Sequence, residues 1–378
     1  MSEQVFSDAR IVLPDEVVRG SLLVRDGRIA AVDAGPSRPG EDLGGDLLVP
    51  GLVELHTDHI EGHYLPRPTV RWNMMAALQA HDAQVACSGI TTVLDALRVG
   101  TDEDALLASA DMLAMADTIA AAAAAGRLRA DHGIHLRCEV SAPDVLGHFE
   151  AIASRPLVRL ASLMDHAPGQ RQFVDLATYR AYYQRKMNLT DDGFRAFCDR
   201  RVAQSDTHSA PNHRVIATFC RERGLAVASH DDATPAHVRE ALDLGVTLAE
   251  FPTTVEAARA SHEAGLRVLM GAPNVVRGGS HSGNVSAAEL LERGLLDILS
   301  SDYVPFSLLQ AAFGLVEAGT LDLPGAMRLV STNPAAAARL GDRGALAPGL
   351  RADLVRVRTA PGLPPVVAGV WREGRRVA

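Results

Sequence analysis

Six residues in the body of this chain combine metal-binding chemistry with a recurrent position. VELHTDH closes on His56 and Asp58, HLRCE on Glu139, and LMDH on His166; further on, AVASHDD carries His230 and LSSD carries Asp302. Each follows an apolar, strand-like run. Imidazole nitrogens and carboxylate oxygens are the ligands that Zn²⁺, Mn²⁺ and Fe²⁺ accept from proteins. His56 and Asp58 are two residues apart, so on an extended strand they face the same way and can serve one ion. A single histidine in apolar surroundings is as readily a hydrogen-bonded core residue. Six such groups at successive strand ends are more than packing requires, and they predict metal-dependent hydrolysis.

The elements that must position them alternate along the chain. Between about Gly51 and Leu340, apolar β-type runs are interleaved with helical ones, the pattern of βαβ units around a parallel sheet. Eight strands are predicted: Leu52–His56, Thr91–Ala96, His135–Glu139, Val158–His166, Leu225–His230, Thr247–Phe251, Arg267–Gly271 and Asp297–Asp302. Their near-continuous hydrophobicity fits strands covered on both faces. The predicted fold is α/β, a (β/α)₈ TIM barrel, in which catalytic residues collect at the C-terminal rim. Outside it, Val5–Leu13, Leu22–Arg25 and Arg28–Val32 read as strands, with Asp26-Gly27 as a hairpin turn. Ala352–Val357, Val366–Trp371 and Arg375–Val377 repeat the idea, turned at Glu373-Gly374. Neither end can bury a core alone. One small β domain built from both termini (residues 1–50 and 341–378) is therefore expected, with the barrel (residues 51–340) between them.

Composition agrees. With 378 residues, 47% of them hydrophobic and only 4% aromatic, the chain can bury a large core of helices on strands. Cys87, Cys138, Cys198 and Cys220 form no CxxC pair, which argues against a thiolate zinc site and fits a reducing cytoplasm. The first residues lack a signal-peptide pattern. No segment has the roughly 20 apolar residues of a membrane span; alanine-rich Met112–Ala125 is expected as a buried barrel helix. A formal charge of −9 without a dense Lys/Arg run gives no support for a nucleic-acid partner.

Longer segments carry a resemblance. LLVPGLVELHTDH, with the terminal GLRADLVRV and VWREGRRV, resembles the amidohydrolase superfamily, whose members build mono- or binuclear metal sites on such a barrel. LPRP (65–68), SGITTVLDA (88–96), SLMDHAPGQRQF (162–173), ASHDDAT (228–234), AEFPTT (249–254), LMGAPNVVRGGSHSGN (269–284) and LDILSSDY (296–303) are similar to the diphosphatase branch of the carbon–phosphorus lyase route of phosphonate use. The likeness covers essentially the whole chain. It implies a small-molecule substrate, a ribosyl phosphonate triphosphate, cut to the 5-phosphate and pyrophosphate. It also implies that His56 and Asp58 hold one divalent metal ion, His166 and His230 a second, and that Glu139 bridges them. Asp302 would touch a metal and act as general base. Zinc is the first expectation, with Mn²⁺ or Fe²⁺ chemically acceptable, and a homodimer is the assembly to test for. HTD replaces the commoner HxH, and Glu139 stands where many members carry a carbamylated lysine; both departures agree with the diphosphatase branch.

A triphosphate needs cations beyond the metals. Arg277 lies in the glycine-rich run Val275–Asn284, where Ser280 and His281 are further candidate substrate contacts. Arg171, in Gln170-Arg171-Gln172, and Arg67, between two prolines, are the other candidate phosphate readers. Arg137 shares a strand face with Glu139 and reads better as a structural ion pair. His59 reads as a hydrogen-bonded rim residue, and the polar helical stretch from about Gln170 to Asn212 as a lid. Two rivals stand: another amidohydrolase reaction (cyclic amide hydrolysis, deamination or phosphosugar deacetylation), or a barrel that has lost catalysis. The arginines count against the first, and six retained ligands count against the second, since buried carboxylates without a metal are costly.

Overall fold

The computed structural model describes residues 3–35, 39–101, 106–168, 171, 176–280 and 283–378. In chain order its strands are β1 (Glu3–Val12), β2 (Val17–Arg25), β3 (Arg28–Ala34), β4 (Glu41–Asp42), β5 (Leu47–Pro50), β6 (Leu52–Thr57), β7 (Ile90–Val99) and β8 (Asp131–Glu139). Then follow β9 (Val158–Met164), β10 (Ala226–His230), β11 (Leu248–Glu250), β12 (Arg267–Gly271), β13 (Ile298–Ser300), β14 (Leu354–Ala360), β15 (Leu363–Arg372) and β16 (Arg375–Arg376).

β6 to β13 lie side by side in sequence order, all parallel, as βαβ connections require. All eight predicted barrel strands are present, with ends shifted by a few residues. Val53, Leu94, Leu160, Ala226, Leu248, Leu269 and Ile298 pack together inside. Helices cover the outside. The helix Ser109–Ala124 buries Met112, Met115, Ala116, Ile119 and Ala122 on one side only; its other side is exposed, and Asp117 there pairs with Arg155 at 2.7 Å. The expected barrel helix is present, buried along one face; alanine tolerates both the buried and the exposed side.

The seam between β13 and β6 is held by a buried carboxylate. Glu54 Oε1 accepts from the His56 amide at 2.6 Å and lies 2.6 Å from Ser300 Oγ, while Ser301 N donates to Oε2 at 2.5 Å. Thr57 Oγ1 donates to the Asp302 carbonyl at 2.7 Å. Burial pushes the Glu54 carboxyl up to about 7, against the pull of these bonds.

The second sheet joins the two ends of the chain. Its order is β16-β15-β14-β5-β1-β2-β3, and β5 against β14 is the antiparallel pair that unites them. Asp26-Gly27 (φ 50° and 78°) and Glu373-Gly374 (φ 49° and 71°) turn their hairpins through the left-handed region, as two-residue loops demand. Phe6 packs edge-on to the buried Trp371 with ring centres 4.8 Å apart, tying the first strand to the last hairpin.

Between β9 and β10 the chain leaves the barrel in two helices, Leu176–Met187 and Asp191–Arg223. The second starts where Thr190 Oγ1 caps the Gly193 amide and stops at Gly224, whose φ is 67°. At 33 residues it is about 50 Å long. It is anchored at the barrel mouth: Ser205 Oγ donates to Asp165 Oδ2 at 2.6 Å, and Asn212 Nδ2 to the Val140 carbonyl at 2.9 Å. Among the described residues, no helix is long and apolar enough to cross a membrane.

Candidate metal centre

His230 and Glu250 are register partners at the ends of β10 and β11. Both are buried, and with His56 they bring three ligand atoms within 4.8 Å of one another. His56 Nδ1 lies 3.3 Å from Glu250 Oε1, and the His56 and His230 rings are 5.7 Å apart. Phe251 seats its ring 5.2 Å from each of these imidazoles. Burial, with the positive charge of Arg137, holds the His56 pKa well below its ordinary value. A neutral imidazole is the form that binds metal.

His166, His230 and Asp231 make a second cluster. His166 Nδ1 is 2.7 Å from Glu139 Oε2, and its Nε2 is 3.7 Å from Asp231 Oδ2. His230 Nδ1 is 2.8 Å from the same Asp231 oxygen. Burial works against a charge on His166, yet Glu139 and Asp231 carry its pKa up to about 10. Glu139, opposed by burial but stabilised by His166, Arg201 and Ser141, is drawn down to about 2. Facing carboxylates that hold a proton on an imidazole mark a place that favours a cation.

The donor set suits a divalent ion. Nitrogen and carboxylate oxygen donors converge, and the buried Glu250 Oε2 has no hydrogen-bond partner among the described residues. Three residues that follow these strands, Asp231, Phe251 and Asp302, adopt positive φ of 57°, 52° and 54°. Non-glycine residues there are uncommon and concentrate at functional sites.

A cavity of about 320 Å³ opens over the two clusters. Four of the six candidate ligands, His56, Asp58, His230 and Asp302, line it. Glu139 and His166 sit to one side, joined to it through His230, whose ring is 5.8 Å from that of His166. Asp302 is partly buried; desolvation there, then the charge of Asp58, pushes its carboxyl up to about 7 while Arg137 restrains it.

The predicted phosphate readers divide. Arg277 and Ser280 line the cavity. Arg277 ends the short helix Ala272–Arg277, and Gly278, with φ of 77°, closes it. Arg171 is placed elsewhere: it is buried, ion-paired with Asp232 and 3.1 Å from Glu240 Oε2. Arg67 is on an exposed loop and does not line the cavity. His281 lies outside the described residues, as do Gln170 and Gln172. His59 Nε2 donates to Gln84 Oε1 (3.0 Å), and His135 bonds the Leu55 carbonyl and Ser162 Oγ, both at 2.9 Å, as a satisfied core residue.

Four site residues were missed or undervalued. Arg137 pairs with Asp58 at 3.1 Å, as an ion pair should, but it also lines the cavity. Arg201, in the middle of the long helix, reaches Glu139 Oε1 at 3.4 Å. Asp231 immediately follows His230. Glu250 ends its strand just as the candidate ligands end or follow theirs, and that position was the available signal.

A family model described as "Amidohydrolase family" matches residues 158–378. The chain is 48% identical over 377 residues to alpha-D-ribose 1-methylphosphonate 5-triphosphate diphosphatase of Escherichia coli (strain K12), covering 99% of this chain and 100% of that one. Solved structures share the fold. N-acetyl-D-glucosamine-6-phosphate deacetylase from Mycobacterium smegmatis aligns with a TM-score of 0.66 at 19% identity, over 99% of this chain and 100% of that one. The 5-methylcytosine deaminase from Klebsiella pneumoniae aligns at 0.67 and 15%, over 99% and 97%.

Proposed function

We propose a reaction for this chain, which belongs to the amidohydrolase family: hydrolysis of α-D-ribose 1-methylphosphonate 5-triphosphate to the 5-phosphate and pyrophosphate, in phosphonate breakdown. The observation that carries it is the mixed lining of one cavity. The ligand-bearing wall (His56, Asp58, His230, Asp231, Asp302) stands beside two guanidinium groups, Arg137 and Arg277. Deacetylation, deamination or opening of a cyclic amide asks for fewer cations, and the 48% identical relative bears the name of a diphosphatase.

The two clusters overlap at His230: His56, His230 and Glu250 would hold one ion, and His166 with Asp231, and Glu139 beside them, would hold another. Two zinc ions are our reading, with Mn²⁺ or Fe²⁺ compatible with the same donors. When bound, such ions polarise a phosphoryl oxygen and lower the pKa of water towards about 7.

The chain's own groups do the rest. A carboxylate oxygen of Asp302 takes a proton from the attacking water; a carboxyl raised to about 7 is matched to that task near neutral pH. The water oxygen bonds to the α-phosphorus, and the bond from that phosphorus to the bridging oxygen breaks. Pyrophosphate leaves with the electron pair. Arg137 and Arg277 present planar forks to its oxygens, and Gly278-Gly279 allow close approach of backbone amides. Arg201 fixes Glu139 from the long helix.

The test is product identification by phosphorus NMR on metal-loaded protein, with ATP and a cyclic amide as controls. Pyrophosphate and the 5-phosphate from the ribosyl substrate support the reading. Hydrolysis of the amide without phosphorus turnover overturns it and leaves another amidohydrolase reaction.

A further inference from the structure

We propose that a second anion site, for a small inorganic oligophosphate such as pyrophosphate, lies at the opposite end of the barrel from the candidate metal centre. A pocket of about 460 Å³ is lined by Arg127, Arg129, Arg372, Arg375 and Arg376, with Gln79, and no carboxylate is among its lining residues. Arg127 and Arg129 precede β8, whose far end is Glu139. A strand of nine residues separates the two sites by roughly 25 Å. The proposal does not depend on the reaction above.

Charge gives the first argument. The chain carries a formal −9, yet five guanidinium groups converge here. Like charges held close together raise the energy of the folded chain, and an anion offsets that cost. The side chains of Arg127 and Arg375 form no hydrogen bond or ion pair with any described residue, so both are available. Such guanidinium forks match phosphate oxygens two at a time.

Preorganisation gives the second. Arg372 Nη1 donates to the Ala130 carbonyl at 2.6 Å, and the Arg376 guanidinium lies 5.6 Å from the ring of buried Trp371. Arg129 Nη1 is 3.1 Å from Asp82 Oδ2. Asp82 also accepts from the amides of Arg129 and Ala130, each at 2.9 Å, and so fixes that wall to the buried face of the helix Met74–Cys87. Three arginines are thus held in place before a ligand arrives, which lowers the entropic cost of binding. The pocket has room for a di- or triphosphate and is open to solvent at its exposed arginines.

The test is calorimetric titration of the full chain with inorganic pyrophosphate, comparing the parent with Arg277→Ala and with the double variant Arg127→Ala, Arg375→Ala. Both distal side chains are exposed and without a partner among the described residues, so the double variant should keep the parent's melting temperature. The expected result is a pyrophosphate site that survives Arg277→Ala and is weakened at least about tenfold in the double variant. An isotherm unchanged in the double variant, or pyrophosphate binding abolished by Arg277→Ala alone, overturns the proposal.

Discussion

Arg137 Nη1 lies 3.1 Å from Asp58 Oδ2, and both side chains line the cavity with Asp302. The guanidinium therefore balances two carboxylates that would otherwise repel each other. Burial and Asp58 raise the Asp302 carboxyl to about 7, and Arg137 is what keeps it from rising further. Because a general base must be ionised, Arg137→Ala should move the acidic limb of the rate profile to higher pH, as well as lowering kcat/KM. Arg137→Lys, which keeps the charge, should restore most of the limb's position. A profile that does not move in Arg137→Ala would detach Arg137 from the base.

Arg277 and Arg171 should separate cleanly. Arg277→Ala should raise KM for the triphosphate by about tenfold or more, the loss of a charged hydrogen bond, and leave thermal stability nearly unchanged. Arg171→Ala strips a buried partner from Asp232, so it should lower stability by about 3–5 kcal/mol. Its KM should change little. Steady-state kinetics and thermal melts on both variants check this, and a KM effect confined to Arg171→Ala would reverse the assignment.

Glu250→Gln keeps size and buried volume but loses the charge facing His56 and His230. Metal affinity should fall about 10- to 100-fold whether Glu250 binds the ion or orients His56. Metal content after dialysis against a graded chelator series measures it, and retention equal to the parent would remove Glu250 from the centre.

The reach of the sequence follows from the range of the interactions. His56, His230 and Asp302 stand out in the sequence as candidates because each follows an apolar run, and strand ends on a barrel converge. Glu250 lies near the end of the predicted strand Thr247–Phe251, but a lone glutamate with no histidine or second carboxylate beside it in sequence gives no local sign of the facing His56, 194 positions away. Arg201 meets Glu139 across 62 positions through the packing of a long helix, which no local pattern records. Arg171 carried the right chemistry in the right segment, but Asp232 and Glu240, far along the chain, take up its guanidinium. The terminal hairpins were readable because Asp-Gly and Glu-Gly turns are local; a shared β domain was inferred only from the inability of either end to bury a core, and the joining strand β5 and its pairing with β14 were not foreseen.

His132 gives stability a pH dependence away from the centre. It sits 2.7 Å from Asp95 and 3.3 Å from Asp82, and although burial opposes its charge, these carboxylates raise its pKa to about 9. In the unfolded chain the value is about 6.5. Its contribution is therefore complete below about 6.5 and is lost as pH rises through about 9. The melting temperature should fall across that window. His132→Gln should be less stable at neutral pH and lack this part of the dependence; an identical slope in the variant would place its origin elsewhere.

The most direct test of the proposed reaction is hydrolysis of the ribosyl methylphosphonate triphosphate in ¹⁸O-labelled water, followed by phosphorus NMR. Water attack at the α-phosphorus puts the label in the ribosyl 5-phosphate and leaves pyrophosphate unlabelled. Label in pyrophosphate, or release of orthophosphate, would contradict the proposed attack and the roles given to Asp302, Arg137 and Arg277.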